Sequence, residues 1–168
     1  ERALRASEEQ FRTLADNMSQ FAWMTDETGW IFWYNHRWFD YTGTTLEQME
    51  GWGWQSVHDP EVLPKVVEQW KGAINSGEPF EMVFPLKRAD GEFRSFLTRV
   101  NPLRDQSNRV LYWFGTNTDV EDQRRAQEAL ARSEERFRQL ADAMPQIVWT
   151  ARPDGNIDYL NRRWQEFT

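Results

Sequence analysis

The sequence predicts an α+β fold: an antiparallel sheet with short helices gathered on one face, flanked by long helices. Three observations predict it. Apolar spacing switches from helical to alternating and back again along the chain. Every short junction between strands carries a turn signature, namely 26–29 (DETG), Asp90-Gly91 and 106–108 (QSN). The opening helix-and-hairpin pattern also returns near the end. With Ser7 registered on Ser133, residues 7–42 and 133–168 agree at 17 of 36 positions, which marks an internal repeat of domain size.

Residues 1–18 predict an amphipathic linker helix. Leu4, Phe11, Leu14 and Met18 fall on a stripe of period 3.5, and Ala126, Leu130, Phe137, Leu140 and Met144 repeat it over 119–144. That period is the spacing of a coiled-coil seam, while a helix lying on its own domain needs a wider stripe; both arrangements stay open. Glu121–Arg125, Glu128–Arg132 and Glu134–Arg138 support the second helix as i,i+4 pairs with Glu first.

Between these helices, 21–25 and 30–35 read as a hairpin. Asn35 stands where a side chain caps the next short helix, and Asn161 stands there in the second copy. Residues 61–77 read as a helix ending at Gly77, with Asp59 and Pro60 at its start. Two strands flank Asp90-Gly91, and Pro85 in the first of them calls for an edge or a bulge. Residues 110–118 form a nearly continuous apolar run and read as a central strand buried on both faces. Thr118 and Glu121 fit a capping box at the start of the exit helix.

Composition narrows the function. A formal net charge of −7 argues against a nucleic-acid footprint and against docking on anionic lipid. With no cysteine, disulfides and thiol chemistry are excluded, in keeping with a cytoplasmic location. No apolar run approaches the roughly 20 residues that span a bilayer. The two His residues, His36 and His58, lack ligand-like neighbours, so no metal site is expected. No phosphate-cradling loop, nucleophile elbow or pair of titratable groups stands out, so the chain is not read as an enzyme.

Aromatic residues make up 15% of the chain, with ten Trp. Trp33, Phe39, Trp54, Trp70, Phe84, Phe96 and Trp113 are the candidates to line one interior. They would either surround a small apolar or aromatic ligand or pack as a filled core that mediates dimerisation.

At this point the motifs resemble a family. Residues 26–43, 57–81, 87–96, 101–105 and 112–130, in that order and spacing, resemble the PAS domain, specifically the PAS-PAC modules found in tandem in bacterial sensor histidine kinases. The resemblance covers about 19–130 and restarts near 145. It implies a five-stranded antiparallel sheet curled around a helical cavity, and a sensory input module. It also implies an exit for the signal at Thr118, Asp119, Val120 and Glu121. The expected domains are a linker helix at 1–18, a PAS domain at 19–118, a signalling helix at 119–144 and the truncated start of a second PAS domain at 145–168.

Where the family usually has Glu and Arg on the strand before the Asp-Gly turn, this chain has Val83 and Pro85. Where it has Trp, this chain has Ser95. Photochemical flavin modules need a reactive Cys, which is absent, and haem-sensing members use a His on the long helix, where 61–77 has none. No cofactor is therefore expected, although an unknown small ligand is. The expected partners are a second copy through the linker helices, adjacent PAS domains and a downstream effector, either a histidine kinase or another output such as a cyclic-dinucleotide enzyme. The start at Glu1 and the repeat point to a slice of a longer array. Residues 145–168, with apolar strands and no sheet to join, are expected to dock on a neighbour, pair at an edge or swing as a tail.

Overall fold

A computed structural model of the chain describes residues 2–168. The side chain of Leu4, expected on the helical stripe, lies outside the described residues. The chain forms two compact units, the first ending at Glu121 and the second running from Asp122 to Thr168.

In the first unit, α1 (Arg2–Asn17) leads into the hairpin β1 (Phe21–Asp26) and β2 (Ile31–Tyr34). Short helices α2 (His36–Thr42) and α3 (Leu46–Met49) follow, then a 3-10 helix (Gly53–Val57), α4 (Leu63–Ser76), and the strands β3 (Phe80–Lys87), β4 (Phe93–Arg104) and β5 (Val110–Asp119). The sheet runs β2-β1-β5-β4-β3 and every pairing is antiparallel. This is the predicted α+β architecture. The turn chemistry agrees too: Gly91 (φ 89°) closes β3–β4, and Asn108 (φ 64°) turns the chain between β4 and β5. Pro85 sits on β3, an edge strand, where a missing ladder donor is tolerated.

Local readings are corrected at several points. The central strand β5 is buried on one face only, through Trp113, Gly115 and Asn117, while Tyr112, Phe114 and Thr116 stand on the other face with partial exposure. The short helices and α4 cover this face, and the other face is only partly covered, so the apolar run did not require two buried faces. Helix α4 starts at Leu63, not at residue 61, because Asp59 holds Glu61 N–H (2.9 Å) in a separate turn ahead of it. Helix α1 ends at Asn17, so Met18 lies past it, in a turn closed by Met18 N–H on the Ala15 carbonyl (3.3 Å).

Asn35 is also not a helix cap through its side chain. It is fully buried, and it joins three backbone segments. Its Oδ1 accepts the Ala22 N–H (3.1 Å), and its Nδ2 donates to the Ala15 carbonyl (2.9 Å) and the Gln20 carbonyl (3.0 Å). The N-terminus of α2 is met instead by Asp16 of α1, whose carboxylate accepts the His36 N–H (2.8 Å). The asparagine thus locks the end of α1 to the start of the sheet.

The second unit consists of α5 (Glu121–Ala143, from Asp122 on), the hairpin β6 (Trp149–Ala151) and β7 (Ile157–Leu160), and α6 (Arg162–Phe167). Its two strands pair with each other as a separate two-stranded sheet. Met144 lies just past α5, as Met18 does past α1. Asn161 repeats the lock: its Oδ1 accepts Val148 N–H (3.0 Å), and its Nδ2 donates to the carbonyls of Ala141 (2.7 Å) and Gln146 (2.9 Å). Asp142 accepts the Arg162 N–H as Asp16 accepts that of His36. The repeat is one of hydrogen bonds as well as letters. Trp149, Ile157 and Trp164 of this unit are exposed, whereas their counterparts Trp23, Ile31 and Trp38 are buried.

Candidate functional site

The covered face of the sheet and the helices above it enclose a cavity of about 40 Å³. Helices supply Trp38 (α2), Trp54 (the 3-10 helix), Val66 and Trp70 (α4). Strands supply Trp23, Phe84, Thr98 and Asn117 among others, and His58 follows the 3-10 helix. No Asp, Glu, Lys or Arg lines it.

Of the predicted aromatic residues, Trp54, Trp70 and Phe84 line this cavity. Phe96 and Trp113 are buried in the surrounding core; Phe96 packs on Phe21 (4.9 Å between ring centres) and Trp113 on Trp70 (5.2 Å). Phe39 is half-buried against Tyr34 (5.6 Å). Trp33 points to the other side of the sheet, where its ring meets Phe11 of α1 at 5.4 Å. The cause is an irregularity in register: Met24 pairs with Trp33 but Thr25 pairs with Ile31. The extra residue lets Ile31 and Tyr34 both face inward, and Phe32 and Trp33 face out.

Sequence reasoning missed Trp23, Trp38 and His58 as lining residues. The recurrence of both Trp residues at 149 and 164 was an available signal. His58 carried none beyond its place four residues after Trp54.

His58 is the most distinctive group of the cavity. Its ring lies between Trp54 (5.0 Å) and Phe84 (4.9 Å), and its Nδ1 stands 2.9 Å from the Trp54 carbonyl. A carbonyl oxygen only accepts, so Nδ1 carries the proton. Burial outweighs that bond and pushes the imidazole down to about 4, so the ring is neutral at pH 7 and Nε2 holds a lone pair. His58 Nε2 and the indole nitrogens of Trp38, Trp54 and Trp113 are buried without a protein partner. Trp23, by contrast, donates to Asn117 Oδ1 (2.8 Å), and Asn117 Nδ2 donates to Thr98 (2.6 Å), a polar row across β1, β5 and β4. Gly115 leaves room for this row, since a side chain there would overlap the Trp23 indole.

Two residues beyond Asn117, β5 ends in a clasp. Asp119 pairs with Arg94 of β4 through Oδ2 (2.7 Å) and Oδ1 (3.3 Å). Val120 N–H reaches the Ser95 carbonyl (3.0 Å), and Glu121 accepts the Ser95 N–H (2.8 Å). The expected capping box is corrected here. Asp119, not Thr118, accepts the Glu121 N–H (3.0 Å), and Thr118 accepts from Gln20 instead (2.9 Å). A strand residue keeps its side chain on one face of the sheet, so Thr118 points away from the first turn of α5 while Asp119 points toward it.

A profile of the PAS fold matches residues 31–117, and a PAS domain profile matches residues 135–168. The chain belongs to the PAS fold family. It is a PAS sensor domain. Among curated relatives, the uncharacterized protein y4lL of Sinorhizobium fredii is 34% identical over all 168 residues, and the peroxide stress-activated histidine kinase mak1 of Schizosaccharomyces pombe is 35% identical over 147 residues, 84% of this chain. The chain spans 20% of the first and 9% of the second. A sensory box histidine kinase/response regulator from Burkholderia thailandensis shares the fold, with a TM-score of 0.57 and 19% identity over 77% of this chain and 98% of that one. Among the described residues, no helix of this PAS chain is long and apolar enough to cross a membrane.

Proposed function

We propose that this chain is the sensory input and relay of a longer, cytoplasmic signalling protein. The PAS cavity receives a small ligand, and the state of the sheet passes through the β5 clasp into α5. The observation that carries this reading is the position of Asn117. It lines the cavity, and it lies two residues from Asp119, where the strand is pinned to Arg94. The output we favour is a histidine kinase, supported by the resemblance to mak1; a cyclic-dinucleotide enzyme is the alternative effector. A second copy of the chain is the expected partner, joined through the linker helices, where Leu14, Leu130 and Leu140 are exposed. The chain itself carries no catalytic role. A flavin or haem does not fit a cavity of about 40 Å³, which lies well below the roughly 300–1,000 Å³ of ordinary ligand pockets.

That size also favours a second reading, in which the core is filled and the domain serves as an interaction module. Output of the parent protein separates the two. In the relay reading, Arg94→Gln makes autophosphorylation insensitive to the stimulus. Unchanged stimulus dependence in that variant overturns the relay. A purified parent that never labels with phosphate moves the output to the alternative effector.

A further inference from the structure

We propose that the cavity is dry and takes a gas-sized apolar molecule of about one to three non-hydrogen atoms, one that makes no hydrogen bond to the protein. This rests on the reading of the domain as a sensor and names the class of its ligand.

Volume sets the upper limit. One water occupies about 10–15 Å³ on this scale, so about 40 Å³ holds roughly three water-sized groups. An apolar cavity that accepts benzene measures about 150 Å³, so an aromatic ring is too large here.

The wall sets the chemistry. It is almost entirely apolar, made of ring carbons and of the methyl groups of Ile31, Val66, Leu86 and Val100. The polar ends of other lining residues are committed within the protein: Tyr34 donates to the Met49 carbonyl (2.9 Å), Trp23 to Asn117, and Asn117 to Thr98. His58 Nε2 and the indole nitrogens of Trp38 and Trp54 are shielded in the packing and offer the cavity no polar surface. A trapped water needs about two to four polar partners and finds none on this wall. A charged or hydrogen-bonding guest would give up its hydration without return. An apolar guest loses nothing of that kind and gains the contacts that the void lacks.

The void is also held open. Tyr34 and Trp23 are anchored by their hydrogen bonds, and Trp70 sets its ring edge-on against Trp23 (6.2 Å) and Trp113 (5.2 Å). Collapse onto the space would break these contacts, so the wall relaxes only in part. Trp23 and Asn117 belong to that wall, so an occupied cavity bears on β5 two residues before the Asp119 clasp.

The test uses the full chain, ¹³C-labelled at its methyl groups, and reads Val66, Leu86 and Val100 by NMR. The probes are xenon, ethane and methanol, the last matching ethane in size but forming hydrogen bonds. The expected result is a saturable shift of these methyl signals with xenon and with ethane, and none with methanol. Val66→Ile, and independently Val100→Leu, each add a carbon to the wall and lose the response while the melting temperature is kept. Amide exchange at 119–125 changes under xenon in the unsubstituted chain and in neither variant. A methanol response equal to that of ethane overturns the apolar class but leaves a ligand-accepting sensor. Xenon binding with exchange at 119–125 unchanged shows a passive void and overturns the guest as a signal. A full xenon response in both variants places the guest elsewhere and overturns the site. No response to any probe shows a closed core, and both this inference and the ligand-sensing reading then fall.

Discussion

Asp119 binds Arg94 with both carboxylate oxygens while one of them, Oδ1, also accepts the Glu121 N–H that opens α5. One side chain therefore ties the last strand to its neighbour and starts the outgoing helix. The pair is partly exposed, so its ionic component contributes little to stability, and the N–H it caps matters more.

This arrangement ranks two neighbouring substitutions. Asp119→Ala is expected to lower stability by about 1 kcal/mol and to increase fraying of the first turn of α5. Thr118→Ala removes only the acceptor of Gln20 on the sheet and leaves that turn intact. Urea unfolding together with amide exchange at 121–125 checks the ranking. Equal fraying in both variants would return the cap to Thr118.

His58 gives the domain a pH dependence of known sign. The unfolded chain takes up its proton near the ordinary value of about 6.5. The folded ring stays neutral down to about 4, held there by burial. Below pH 6.5 the unfolded state therefore binds more protons than the folded one. Stability from this group is full above pH 6.5 and falls as the pH drops toward 4, by about 3 kcal/mol in total. It does not fall further below that. In His58→Phe the slope between pH 6.5 and 4 flattens. An unchanged slope in chemical denaturation across that range would place the titration elsewhere.

Asn35 is the most consequential buried polar side chain of the first unit. Asn35→Ala leaves the Ala22 N–H and the carbonyls of Ala15 and Gln20 without this partner, and is expected to cost about 2–4 kcal/mol. Asn35→Asp keeps the shape and one acceptor but loses both donated bonds, so it should also destabilise. A midpoint shift worth less than about 1 kcal/mol for Asn35→Ala would show that water replaces the lock.

How much of this was legible in the sequence depends on the range of the interaction. The hairpins, the edge position of β3 and the repeat follow from local chemistry: Asp90-Gly91, Asn108, Pro85 and the recurring Trp, Gly and Asn residues. The cavity was only partly legible. Alternation from Ile31 places Trp33 inward, and one extra residue on β2, Phe32, opposite the step from Met24 to Thr25, reverses it. Asn35 reads as a cap because it precedes a helix, yet its side chain reaches back to residues 15, 20 and 22. His58 lacks ligand-like neighbours in the sequence, and only its packing between Trp54 and Phe84 reveals the neutral ring. Thr118 fits a capping pattern by spacing, but the pleat of β5 turns it to the wrong face.

The central claim is that the cavity wall and the start of α5 respond together. Thr98→Val tests it most directly, because it removes the acceptor of Asn117 Nδ2 with little change in shape and touches no residue of the clasp. Amide hydrogen exchange, followed by mass spectrometry, is compared at 119–125 and along α4 (63–76). The account expects protection to fall selectively at 119–125 while α4 keeps its own. Unchanged exchange at 119–125, alongside a lowered melting temperature, would contradict it.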